Sequence, residues 1–417
     1  MQNLPSMQSA LREPVVVIGA GIVGVSAAYH LLTAGARNVT VIDRVEPGEG
    51  TTKAGAGFVA KWNEANYDFG PGGLQLQEYA LRFYRSLHAE GARIGFRANG
   101  NLVLALKEET WREVVRPIAM RSGVTPGTRA LDPDEVAQLT GVVDPAAVAG
   151  GVLMPAGIQI AALRAVRAVA ERVRSLGGSF KLGIPVSSIV SSGESVTAVV
   201  TADGQVIPAR HLVIAAGAWT NRVLASLGVQ LPLFRMLATR IVTEPAGVPA
   251  TMPTIQCGDL SLWIREREGA FTWGTVHGYR PAYGVERQYG TVPDEMPRDE
   301  SLYQRLIDDQ PDIERVFPRL RDTKIISWLQ GMPVYTPDHR FTLGPLHGYH
   351  NVVVAAGDNE AGVTHGPALG KVAADLTVNG STTFDIDAYD PMRFDGPVDE
   401  STLGALIGEI YQAATPA

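Results

Sequence analysis

Cysteine is almost missing from this chain. Its 417 residues hold one, Cys257, which excludes an internal disulfide and any cysteine-based metal site. We expect no metal, and a reducing cytoplasm suits such a chain. Basic runs are missing too, and the net charge of −7 argues against nucleic acid as a partner. Between Pro14 and Ala36 there is no charge at all, a gap that a hydropathy scan reads as a membrane anchor. The flank before it offers only Arg12, cancelled by Glu13, where a signal peptide needs net positive charge. Ser26, Tyr29, His30 and Thr33 interrupt the run and fit an amphipathic helix, so we expect no membrane partner. Repeats and low-complexity tracts are also lacking, and the 45 glycines and 27 prolines are scattered through turns. A hydrophobic content of 45% and a charged content of 19% describe an ordinary globular protein. The length suits two interleaved domains.

What the sequence does contain is concentrated in VVVIGAGIVGVSAAYHLLTAGARNVTVID, residues 15–43. A buried-strand run, Val15 to Ile18, is followed by Gly19, Ala20, Gly21, Ile22, Val23 and Gly24 at GxGxxG spacing. The first glycine permits the tight turn and the second lets the backbone approach a pyrophosphate. The third lets the helix pack on its strand. The N–H groups and dipole at that helix N-terminus would face the phosphates. A second strand, Val39 to Ile42, ends at Asp43 and Arg44, and Asp43 lies nineteen residues beyond Gly24, where an acid binds a ribose hydroxyl pair. An acid there disfavours a 2′-phosphate, which leaves FAD or NAD.

The opening run has two echoes. HLVIAAG (211–217) and NVVVAAG (351–357) repeat its pattern of a β-branched strand ending in small residues and glycine. Such runs suit parallel strands buried on both faces, whose carboxyl ends share the ligand-binding edge. Residues 161–176 read as a helix, and 195–209 as a hairpin turning at Asp203-Gly204. Residues 233–245, 261–265 and 270–276 alternate like strands of an antiparallel sheet. We expect an α/β protein with a discontinuous nucleotide-binding domain (13–75, 150–228 and 325–395) and an inserted antiparallel-sheet substrate domain (76–149 and 229–324). A C-terminal tail (396–417) would carry an apolar stripe through Leu403, Leu406, Ile407, Ile410 and Tyr411. That stripe would dock on its own domain or form a homo-oligomer contact.

These pieces in this order resemble the D-amino-acid oxidase, glycine oxidase and sarcosine oxidase family of flavoproteins. The resemblance runs from about Pro14 to Asp390. Beyond the opening motif it rests on HLVIAAGAWT, WIREREGAFTWG, VYTPDHRFTLGP and VVVAAGDNEAGVTHGPALGKVAADL. It implies FAD, a glutathione-reductase-like nucleotide domain, and oxidation of a C–N bond beside a carboxylate. Gly50, Thr51, Thr52 and Lys53 after the second strand, Val186, and Ala216, Gly217 and Trp219 in the middle motif would then join the cofactor site. So would Gly357, Asp358, Asn359, Glu360, Ala361, Gly362, Val363 and Thr364. We place Pro367 in the first turn of the closing helix, which would aim its positive end at Gly362 to Gly366 and favour a negatively charged reduced flavin.

The chain departs from its relatives in several places. Some of them tether the flavin through a histidine after the second strand or a cysteine near the last motif. Here Lys53 and Ala54 occupy the first place, and QGMPVYTPD (330–338) has no cysteine, so FAD should be held non-covalently. Monomeric sarcosine oxidases carry one lysine where Thr364 stands and another, which assists oxygen reduction, roughly where Thr272 lies. Losing both puts simple sarcosine and fast oxygen chemistry in doubt. Arg265, between Trp263 and Trp273 that would wall a dry pocket, and Arg240 are our candidates for a substrate carboxylate, because a guanidinium pairs with two oxygens at once. Lys53 and Lys61 would lie near the flavin or the substrate mouth. His365 and His277 suggest a general base, yet hydride transfer from a neutral amine needs none, and His365 suits a cap or flavin contact. Asp358, Asn359 and Glu360 replace small residues of the relatives, and one of them would meet an unusual substrate. The leading expectation is an amine or amino-acid oxidoreductase that uses oxygen or another acceptor. The alternatives are a dehydrogenase feeding a quinone or partner protein, and a flavin-holding subunit with a vestigial site.

Overall fold

The computed structural model describes residues 12–61, 69–121, 125–282, 296 and 298–394. In chain order, β1 (Val15–Ile18) leads into α1 (Ile22–Thr33), β2 (Val39–Ile42) and a short α2 (Thr51–Ala54). Next come α3 (Gly73–Ala89), β3 (Asn101–Ala105), β4 (Gly150–Met154), α4 (Ala162–Ser175), β5 (Ser179–Lys181) and β6 (His211–Ile214). The middle of the chain forms β7 (Phe234–Pro245), β8 (Thr254–Cys257), β9 (Leu262–Arg267), β10 (Ala270–Thr275) and β11 (Tyr279–Pro281). It closes with α5 (Glu300–Val316), β12 (Ile325–Gly331), β13 (Val334–Tyr335), β14 (Thr342–Pro345), β15 (Val352–Ala356) and α6 (Gly362–Asn379).

The three echoed runs lie side by side. A six-stranded sheet has the order β14-β15-β6-β1-β2-β5. β1 pairs in parallel with both β6 and β2, setting Ile18 opposite Ile214 and Ile42. β15 adds in parallel to the far side of β6, and only β14 runs antiparallel. The apolar side chains of β1, β2, β6 and β15 are buried on both faces, as β-branched runs in a covered parallel sheet should be. Helices supply the cover. α4 buries Ala162, Ala165, Val166, Val169, Ala170 and Val173 at helical spacing. α6 lies against α1 so closely that a Cβ on Gly366 would come 2.8 Å from Ile22 Cγ2, and one on Gly370 2.5 Å from the Ala27 nitrogen.

Pro367 is inside α6, not in its first turn, because the helix already begins at Gly362. A proline four residues after Val363 leaves that carbonyl without its helical donor. The buried Tyr84 hydroxyl supplies the bond instead, donating to Val363 O at 2.7 Å. Leaving such a buried carbonyl unpaired would cost about 1–3 kcal/mol, so α3 and α6 are locked together at the point where the helix is weakest.

A ten-stranded sheet forms the second layer, running β11-β7-β10-β9-β8-β3-β4 to an edge strand at 129–131, with β12 and β13 also paired to β7. It is mixed where antiparallel was expected, since β3 and β8 pair in parallel. Its membership also cuts the chain differently from the expected pieces. β4 pairs with β3 and β12 with β7, although 150–154 and 325–331 read as nucleotide-domain segments. Short apolar runs such as GGVLM carry no local sign of the sheet they will join. α3, expected with the substrate domain, buries Leu76, Leu81, Tyr84 and Leu87 in the same core as α1 and α4. The hairpin at Asp203-Gly204 forms as expected, 195–201 pairing with 206–208. The apolar stripe expected at 403–411 lies outside the described residues. Among those described, no helix is long and apolar enough to cross a membrane.

Candidate active site

Main-chain geometry builds the nucleotide end. Gly19 has φ +111°, and a Cβ there would lie 2.2 Å from Ala215 O, so only glycine makes the turn. A Cβ on Gly24 would come 1.9 Å from Gly19 O, which is the close helix–strand approach expected of the third glycine. At Gly21 the nearest such neighbour is Thr52 Oγ1, at 3.4 Å. The N-cap of α1 is Gly21, which has no capping side chain, and the Ile22 N–H donates to Thr52 Oγ1 of α2 at 3.3 Å. Asp43 stands at the end of β2, its carboxylate accepting from the Ala20 N–H at 2.6 Å and the Val45 N–H at 3.1 Å. Burial pushes this carboxyl above its usual range, against those main-chain donors. The Ile184 N–H donates to Asp43 O, which brings the chain entering the strand at Val186 beside it. Arg44 lies over the Trp219 ring at 3.8 Å, a cation–π contact joining two expected cofactor residues. A tight glycine turn, a helix N-terminus with a glycine N-cap and an acid at the second strand fit the pyrophosphate and ribose of FAD.

α2 connects this end to the large sheet. Thr51 Oγ1 donates to Met332 O and accepts from Met332 N, both at 3.1 Å. Arg240 donates from Nε to Ala54 O at 2.7 Å, from Nη2 to Lys53 O at 3.2 Å and from Nη1 to Thr272 Oγ1 at 2.8 Å. Arg265 donates to Ala56 O, Ile160 O and Glu266 O. Both arginines are buried. Desolvation, together with the charges of Arg267 and Arg265, lowers Arg240 to about 9. The same burial, with Arg267 nearby, brings Arg265 to about 10. The forks expected to receive a substrate carboxylate are therefore spent on main-chain carbonyls, and they clamp residues 53–57 against the sheet.

The environment expected around Arg265 also changes. Arg265 faces Thr272 across the β9–β10 pair, whereas Trp273 pairs with Ile264, so alternation puts Trp273 on the opposite face. It is buried there with Ile241 and Phe271 and walls no pocket beside Arg265. Thr272 Oγ1 bridges Arg240 and Ile241 O. Lys53 pairs with Glu49 at 3.1 Å and Lys61 with Glu78 at 3.2 Å. Cys257 is buried in β8, and burial raises its thiol to about 12.

The closing motif forms the other wall. Gly357 has φ +61°, and Asn359 and Glu360 take φ +45° and +66°, an uncommon backbone for side-chain-bearing residues that costs about 1–3 kcal/mol each. Asn359 holds the bend by accepting from Thr336 N at 2.9 Å and donating to Gly357 O at 2.8 Å. The positive end of α6 meets the Asp358 carboxyl, which burial raises to about 6 against donors that include Val334, Glu360 and Gly362. Glu360 reaches across to the large sheet. Its Oε1 accepts from the Tyr279 hydroxyl, and its Oε2 from the Tyr335 hydroxyl at 2.9 Å. Gly55 lies against Val363, where a Cβ would come within 2.8 Å, so segments 51–57 and 357–363 meet. Thr364 is buried, its hydroxyl 3.4 Å from Phe58 O.

His365 has no route to act on a substrate. It is fully buried, with its ring 4.6 Å from that of Phe69 and 4.8 Å from that of Phe341. Its Nδ1 lies 3.2 Å from Ala361 O and Nε2 has no partner. His277 pairs with Asp309 at 2.7 Å. The residues that sequence reasoning missed are Tyr279 and Tyr335, because only the fold brings HGYRP and PVYTP to the same carboxylate.

Known proteins agree with this geometry. The FAD dependent oxidoreductase (DAO) family matches residues 14–376. The chain belongs to that family, and FAD is its cofactor. It is 28% identical over 390 residues to 4-methylaminobutanoate oxidase (formaldehyde-forming) of Paenarthrobacter nicotinovorans, covering 91% of this chain and 45% of that protein. It is 26% identical over 405 residues to the mitochondrial dimethylglycine dehydrogenase of Rattus norvegicus, covering 92% and 45%. The chain thus spans about half the length of these curated relatives. The crystal structure of glycine oxidase from Geobacillus kaustophilus shares the fold at a TM-score of 0.78 and 21% identity, covering 92% of this chain and all of that one.

Proposed function

We propose that this chain oxidises the C–N bond of an N-methylated amine or amino acid to an imine, which water then hydrolyses. The observation that carries the reading is the meeting of the nucleotide edge with the polar face of the large sheet at segments 51–57 and 357–363. Both aligned relatives bear names of enzymes acting on methylated amines, which supports this substrate class. When bound, FAD supplies the hydride acceptor. The chain's own task is positioning, since alignment of reacting atoms at about 3–3.5 Å supplies much of the rate. The reacting nitrogen must arrive as the neutral base, and a dry pocket favours that form.

The cofactor is held without a covalent link. Ala54 has no reactive side chain, Lys53 is paired with Glu49, and Cys257 is buried in β8. Acid precipitation should leave a colourless pellet and all the flavin in the supernatant, and a pellet still yellow after washing contradicts this. A second reading, a dehydrogenase feeding a quinone or protein, draws support from Thr272, a buried hydroxyl bound to Arg240 that lies roughly where the resemblance to monomeric sarcosine oxidases implies a lysine. The deciding experiment is anaerobic mixing of the FAD-loaded chain with N-methyl amines, N-methyl amino acids, D-amino acids and cyclic imino acids. Bleaching of the flavin identifies the reductant without assuming an acceptor, and no bleaching by any of them would end the proposal.

A further inference from the structure

We propose that Glu360 is the substrate anchor of this site and that it holds a positively charged nitrogen, so the substrate is a diamine with one N-methylated end. The inference rests on the amine-oxidising reading above and names the substrate class for it. Three separate observations meet here.

First, the two arginines best placed to take a carboxylate are occupied. Arg240 and Arg265 together make five hydrogen bonds to main-chain carbonyls and one to Thr272. A substrate carboxylate competing for either would have to release segment 53–57. Second, Glu360 is an exposed residue whose carboxylate is fixed from two directions, by Tyr279 of β11 and Tyr335 of β13. Each oxygen accepts one phenol hydrogen bond and retains a lone pair for another donor. Third, Glu360 occupies the carboxyl edge of the parallel sheet between β15 and α6, which is where this class of fold binds its ligands. The carboxyl there is oriented. Desolvation and the neighbouring Asp358 raise it above its usual range while the two phenol donors hold it down. Its two tyrosines carry ring faces of the kind that attract cations.

Chemistry then decides which nitrogen is anchored. A carboxylate stabilises the charged form of an amine next to it, whereas the nitrogen being oxidised must be neutral. The nitrogen on Glu360 is therefore not the one that reacts. One end of the substrate stays an ammonium against Glu360, and the other, methylated end is presented as the free base.

The test uses the FAD-loaded 417-residue chain and two probes of equal length, N-methyl-1,4-diaminobutane and 4-(methylamino)butanoate. Each is titrated anaerobically, and flavin bleaching gives the half-saturating concentration. The diamine should saturate at least tenfold lower than the amino acid. Glu360→Gln should raise the diamine value tenfold or more while changing the amino-acid value less than threefold. Tyr279→Phe, which keeps the carboxylate but removes one phenol, should weaken the diamine two- to fivefold. Melting temperature and flavin content establish that both variants are folded. Preference for the amino acid, unchanged by Glu360→Gln, overturns the anchor and leaves the amine-oxidising reading standing. If neither probe nor any panel amine bleaches the flavin, that reading fails. The anchor is then judged by calorimetric titration of 1,4-diaminobutane, where equal affinity in wild type and Glu360→Gln overturns it and a tenfold loss sustains it.

Discussion

The two sheets shape their shared edge in different ways. The parallel sheet works with backbone: Gly19, Gly21 and Gly24 contribute by having no side chain, and α1 starts from a glycine N-cap and carries no charged residue. The large sheet contributes side chains: Arg240, Arg265 and Thr272 all project from one face and are buried. The first strategy requires particular residues at fixed spacing, since no other residue leaves room for the chain or a phosphate. The second depends on what happens to lie opposite each strand. The comparison teaches that a site made by omission can be read from sequence, while a site made by contact depends on the partner that folding delivers.

The sharpest way to break this contrast is inside the glycine motif. Gly24→Val would force a Cβ into Gly19 O, and overpacking of that kind costs about 3 kcal/mol. We expect a colourless protein with a clearly lower melting temperature. Gly21→Val meets only Thr52 Oγ1 at 3.4 Å, so it should lose FAD while its apoprotein melts within about 1 kcal/mol of wild type. Stoichiometric flavin in the Gly21 variant would show that the phosphates lie elsewhere.

On the large sheet the expected effect is smaller and of another kind. Arg240→Met keeps bulk but strands the Lys53 and Ala54 carbonyls, at about 1–3 kcal/mol for each group left buried and unpaired. A clamp predicts weaker FAD retention and a lower melting temperature, with substrates affected alike. A carboxylate receiver predicts unchanged flavin and a loss confined to carboxylate substrates. Flavin dissociation measured beside substrate titrations separates the two.

How much was legible follows the same division. The order of β1, α1, β2, β6 and β15, and the position of Asp43 at the strand end, came from periodicity and spacing, which local physics dictates. Arg265 read as a carboxylate receiver on the inserted sheet, because its actual partners, Ala56 O and Ile160 O, are distant in sequence and leave no pattern. Trp273 shows the cost of a one-residue error of face: two tryptophans ten positions apart look like two walls until strand pairing puts one in the opposite core. Pro367 misled for a local reason. Proline usually marks a helix start, and here a tyrosine hydroxyl 279 residues away from Val363 pays for placing it inside.

The smallest effect belongs to the interface between α6 and its neighbours, and it depends on pH. Burial, opposed only by the Ala361 carbonyl, lowers His365 to about 3, and burial together with Lys371 lowers His30 to about 3 against a backbone bond to Pro367. The unfolded chain protonates histidine near 6.5. Above that pH both states hold neutral rings, so neither residue makes stability depend on pH. Below it the unfolded state takes up a proton that the folded state refuses. Stability then falls by about 1.4 kcal/mol per pH unit for each histidine until the folded value is reached. Asp358 acts in the opposite sense, because its carboxyl is raised to about 6 and the folded state gains its proton first. A single variant separates these contributions. His365→Phe fits between Phe69 and Phe341 and removes the unpartnered Nε2. Compared with wild type at saturating FAD, its loss of stability between pH 7.5 and pH 5 should be smaller by about 2 kcal/mol. Equal losses in the two proteins would mean that His365 takes up its proton in the folded state, and that the aromatic packing around it does not exclude charge.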